Sequence, residues 1–87
     1  MQTNEFKFQL YQIVYLIEWA DKYYPNPTPY KILSMSKNIV SNLLPPVFLY
    51  KVCLNESVRQ VEESHLYATY EECVKECERL NKVNNLD

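Results

Sequence analysis

The residues whose types and spacing suggest site chemistry are few. Cys73 and Cys77 stand four apart in "YEECVKEC", a third cysteine lies at Cys53, and the sole histidine is His65. Thiolates at i and i+4 share one helix face, and this spacing resembles that of a metal-binding pair. A structural zinc site would take Cys53, His65, Cys73 and Cys77. The alternative is packing. Cys73 and Cys77 fall on an apolar stripe with Tyr70, Val74 and Leu80, and a free cysteine behaves as a small buried hydrophobe. Zinc-binding turns commonly use glycine, and the chain has none. Packing is therefore the preferred account, and no cofactor is expected. A Cys73–Cys77 disulfide is disfavoured, because Cβ vectors one helical turn apart run roughly parallel.

Catalytic machinery is not legible. General acid–base work at His65 needs a carboxylate or nucleophile held against it, and no such triad or dyad can be read from the spacing. The absence of glycine also excludes the Walker loop, the dinucleotide fingerprint and the hydrolase nucleophile elbow, all of which need its backbone freedom. The expectation is a protein that is not an enzyme.

Eighty-seven residues, 47% of them hydrophobic and 23% charged, suit one globular domain spanning 1–87. There is no long apolar run and no leader pattern, so the expected compartment is the cytoplasm, where thiols stay reduced. Charge is uneven. Residues 1–44 carry four lysines against three acids, and residues 45–87 carry five basic groups against eight acidic ones. The net of −2 lacks the basic excess of a typical nucleic-acid binder.

The elements that would position these residues follow from periodicity and punctuation. Phe6, Leu10, Ile13, Ile17, Ala20 and Tyr24 recur at helical spacing, although "EFKFQL" alone alternates as a strand would. Thr28 and Pro29 read as N-cap and first turn of a second helix through Ile32, Met35, Ile39, Val40 and Leu43, ended by Pro45. "VFLYKVCL" reads as a strand, "NES" as a turn and "VRQVEESHLY" as a second strand. Asn55 in "NES" also matches a glycosylation sequon, taken as chance. Thr69 and Glu72 read as a capping box opening a last helix. The expected fold is a small α+β domain in the order α-α-β-β-α, with a β-hairpin packed on helices.

On the expected first helix, Phe8, Tyr11, Tyr15 and Trp19 form a second row nearly opposite the core stripe. Apolar residues all round a helix call for cover on both faces, and Tyr and Trp are common interface anchors. The functional expectation is a small protein-binding regulator or inhibitor acting through this row and self-associating as a dimer. A phage or mobile-element protein that blocks a host factor would suit such a chain. The alternative is a nucleic-acid module using Lys31, Ser34, Ser36, Lys37, Asn38 and Asn42, with the hairpin as a wing.

Overall fold

A computed structural model describes residues 5–86. Six strands run in the order β1 (Ile13–Trp19), β2 (Tyr23–Pro25), β3 (Tyr30–Asn38), β4 (Val47–Leu54), β5 (Ser57–Glu62) and β6 (Leu66–Tyr67), and one helix, α1 (Tyr70–Val83), follows. The strands form one antiparallel sheet in the order β2-β1-β3-β4-β5, and β6 pairs with β1. The expected α-α-β-β-α order is thus overturned: both proposed N-terminal helices are strands. No helix among the described residues is long and apolar enough to cross a membrane.

A short connection closes the sheet. β5 and β6 are joined only by a 3-10 turn, Glu63–His65. In a flat sheet the β6 position beside β1 would lie four strand spacings from β5, about 19 Å. The four residue steps from Glu62 to Leu66 reach at most about 14 Å even when extended. The sheet must therefore curl until its ends approach. The core fills the inside of that curl: Phe8, Val14, Leu16, Tyr30, Ile32, Tyr50, Val52 and Leu66.

The first correction concerns residues 6–24. Val14 and Leu16 point into the core, while Tyr15 and Ile17 on the other face are half-buried. α1 packs across β1, β2 and β6, with Tyr70 edge-on to Tyr15 at 5.9 Å between ring centroids. β1 is thus apolar on both faces because a core lies beneath it and a helix above it. A strand covered on both faces reads as a continuous apolar run, and over this length such a run also satisfies a helical template.

The second correction concerns residues 28–44. Tyr30 and Ile32 are buried, β3 pairs with β1 and β4, and the register with β4 slips between Ile32 and Ser34. The slip inserts one residue, so the inward positions run 30, 32, 35. Spacings of two and then three imitate helical periodicity. Thr28 is not an N-cap: its N–H donates to Asn26 Oδ1 at 3.0 Å, an Asx turn. Ile39, Val40, Leu43 and Leu44 lie in the loop that follows β3 and are all exposed.

The remaining elements match. The β4–β5 hairpin turns at Asn55, which takes φ 56° where glycine would be usual. Its second strand ends at Glu62 rather than running on to Tyr67. Thr69 caps α1, its hydroxyl accepting from Glu72 N. At the far end Asn85 adopts φ 57°. Asn85 N–H donates to Lys82 O and Leu86 N–H to Asn81 O, a Schellman cap with Asn in the glycine position.

One side chain locks α1 to the sheet. Asn81 is buried; its Oδ1 accepts from Tyr23 N–H at 2.8 Å and its Nδ2 donates to Tyr23 O at 2.8 Å. The amide thus imitates a neighbouring strand at the free edge of β2. Asn81→Leu strands both Tyr23 groups and should cost about 2–5 kcal/mol. Urea melts check this, and a loss below about 1 kcal/mol would mean that water replaces the amide at no cost.

Candidate functional site

A cleft opens where the curl fails to close. β6 pairs only with Tyr15 and Leu16 of β1. Above that point the second half of β1 and the length of β5 face each other without pairing. A cleft of about 620 Å³ occupies this seam. Ile17, Glu18 and Trp19 form one wall, Arg59 to Glu62 the other, and Glu76 and Leu80 of α1 border it.

An ion pair bridges the seam from within. Arg59 pairs with Val52, so both point to the core side, and Arg59 Nη1 lies 2.6 Å from Glu18 Oε1. The guanidinium also sits 6.0 Å from the Tyr30 ring centroid. Its pKa is raised, first by the bond to Glu18. On the outer side Trp19 packs edge-on to Tyr23 at 4.8 Å. Trp19 is nonetheless 59% exposed, so a large aromatic stands at the mouth of the cleft. The charged lining is acidic: Glu18, Glu62 and Glu76 against Arg59.

Of the expected aromatic row, only Trp19 occupies such a position. Phe8 is 1% exposed in the core, Tyr11 is 68% exposed in a turn at φ 67°, and Tyr15 is half-buried against Tyr70. A strand and a turn replace the helix, so spacings of three and four no longer share a face. Tyr23, Arg59, Glu62 and Leu80 were not expected at any site. Their signal was confined to residue type, because they meet only when the sheet curls.

The nucleic-acid candidates are dispersed. Lys31 pairs with Cys53 on the outer face. The bulge reverses the alternation, so Lys37 faces the other way and is held by Glu5 at 2.8 Å. Asn38 ends β3, and Asn42 lies in the loop that follows.

The cysteine candidates are partly gathered. Cys73 and Cys77 are adjacent and buried on α1, whereas Cys53 is half-buried on β4 and His65 is exposed in the 3-10 turn. Among the described residues no group of three or more His, Cys, Asp or Glu is placed to hold a metal ion. Cys73 Sγ donates to Leu16 O at 3.2 Å. Burial, reinforced by Cys77, pushes its thiol up to about 12.

A second polar cluster is structural in form. Tyr50 is fully buried, its hydroxyl donates to Glu63 and accepts from Phe8 N–H at 3.3 Å, and Glu63 Oε2 also accepts from Lys7 N–H at 2.9 Å. Burial and the Glu63 bond push the Tyr50 pKa up to about 12. No family model, no curated protein and no solved structure matches the chain.

Two predictions follow from the thiols and Tyr50. Both groups hold their protons more tightly when folded than at their ordinary values of 9.0 and 10.0. The unfolded chain therefore loses protons first, and stability falls as pH rises from about 9 to about 12. Cys73→Ala should shrink that slope in urea melts. An unchanged slope would show that Cys73 does not contribute to it. If Cys77 is a packing residue, Cys77→Ala should cost about 1–2 kcal/mol and Cys77→Val no more, whereas Cys77→Asp should unfold the chain. Equal damage from Val and Asp would point to a thiolate ligand instead.

Proposed function

We propose that the protein is a non-catalytic binding module, a regulator or inhibitor, that takes up a segment of a partner protein in the β1–β5 cleft. The observation that carries this is Trp19, an exposed indole resting on Tyr23 at the mouth of that cleft. Tryptophan and tyrosine supply large contact area at small entropic cost and dominate binding hot spots. Apolar Ile17, Val61 and Leu80 line the cleft beside charged Glu18, Arg59, Glu62 and Glu76, and surfaces where proteins meet mix apolar and polar groups in this way.

The reading rests on Trp19 and not on the row of four aromatics. Trp19→Ala should leave the fold intact, with a stability change within about 1 kcal/mol, because the indole is largely solvated. A photo-crosslinking residue placed at position 19 should capture a partner protein from cells of the native host, and one at Lys51, on a different strand, should not. Tyr23→Ala should cut the yield at position 19 at least fivefold. Equal capture at positions 19 and 51, or none at 19, would remove the proposal.

A further inference from the structure

The cleft is bordered by main-chain groups as well as side chains. In the β4–β5 ladder Leu54 and Ser57 flank a two-residue turn and Val52 pairs with Arg59. Ser57, Arg59 and Val61 therefore turn their N–H and C=O groups toward β4, and Val58 and Gln60 turn theirs outward, into the seam, together with Glu62 N–H, while Glu62 C=O opens the 3-10 turn. On the opposite wall Asn26 N–H donates to Leu16 O at 2.9 Å, so Leu16 and Glu18 face β2. Ile17 and Trp19 then turn their main-chain groups to the other edge, where Ile17 N–H belongs to the β6 ladder beside the Leu16–Leu66 pair and Ile17 C=O and the Trp19 groups point across the cleft. Among the described residues no strand pairs with this edge of β5, or with this edge of β1 beyond Leu16. The free edge of β2, by contrast, is capped by Asn81.

Two facing, unpaired strand edges are a template for one more strand. We propose that the seam binds its partner by strand addition: an extended segment inserts between β1 and β5, completes the curled sheet and forms its ladder on Val58, Gln60 and Glu62. This rests on the binding-module reading and specifies how the module binds and what it selects.

The chemistry of the occupant follows from the walls. Side chains on the outer side of an added strand meet Trp19, Tyr23 and Leu80, which favour an aromatic or aliphatic residue. They also meet Glu62, which has no ion-pair partner among the described residues. Glu76 lies near, already bonded to Arg79. With Glu18 paired to Arg59 and Glu76 to Arg79, the carboxylate of Glu62 is the one left to favour lysine or arginine. The preferred segment is therefore extended, apolar and basic, six residues long to match β5.

Synthetic octapeptides test this without knowledge of the natural partner. One alternates lysine with isoleucine around a central tyrosine, a second carries glutamate for lysine, and two more are the basic peptide N-methylated at alternate residues, one in each register. The basic peptide should shift the amide resonances of Val58, Gln60 and Glu62 together with the Trp19 indole. The acidic peptide should bind at least tenfold more weakly, and each N-methylated peptide at least fivefold more weakly. Gln60→Pro removes only an outward N–H and should weaken the basic peptide while the amide spectrum stays folded.

Binding at Trp19 that N-methylation and Gln60→Pro leave unchanged would overturn strand addition while sparing the binding-module reading. Equal binding of acidic and basic peptides would overturn the assigned selectivity. No response from any peptide, alongside efficient crosslinking from position 19, would mean that the partner uses the cleft in another form. Concentration-dependent protection of the Val58, Gln60 and Glu62 amides in the protein alone would identify a second copy as the occupant and overturn the proposal.

Discussion

The turn Glu63–His65 sets the shape of the molecule. It allows β6 only a few residues to reach β1 from the far side of the sheet, and a flat sheet cannot satisfy that length. Curling brings β1 and β5 toward each other and creates an interior. Glu63 holds the turn in place. Its carboxylate takes the Tyr50 hydroxyl from inside the core and the Lys7 N–H from the N-terminal segment. Phe6 and Phe8 then pack edge-on against Tyr50, at 6.0 and 5.6 Å between ring centroids. One buried tyrosine thus links the floor of the core, the closing turn and the segment that plugs the end.

Closure is incomplete for the same reason. A two-residue β6 can cover only two residues of β1, so among the described residues no strand pairs with the upper half of β1 on that side. The chain treats its exposed edges differently. At β2 a buried asparagine amide satisfies the main chain. At β5 and upper β1 no strand among the described residues takes the edge, and the Arg59–Glu18 pair crosses between them on the core side. A bridge half exposed to solvent contributes little to stability. It fixes the width and polarity of the seam more than it strengthens the fold.

The absence of glycine is accommodated at two places where its freedom would ordinarily be used. Asn55 and Asn85 adopt positive φ at the hairpin and at the C-terminus of α1. Asparagine tolerates this conformation better than most residues because its side chain bonds locally. Tyr11 is the third such residue, and its N–H donates to Ile32 O at 2.8 Å. That bond holds the strained residue where the N-terminal segment meets β3.

What the sequence determined by itself is local. The cap at Thr69, the stripe of Cys73, Cys77 and Leu80, the strand over 47–54 and the turn at Asn55 each depend on neighbours within a few positions, and all were legible. The burial of both α1 cysteines followed from the same stripe. What only the tertiary structure decided is whether apolar runs with ambiguous periodicity became helix or strand. β1 owes its apolar character on both faces to a helix more than fifty residues away, and β3 lost its alternation to a bulge set by its pairing with β4. The seam was illegible for a further reason. Its walls are strands distant in sequence, its ligand-ready groups are main-chain N–H and C=O that every residue carries, and only curling leaves them facing each other unpaired.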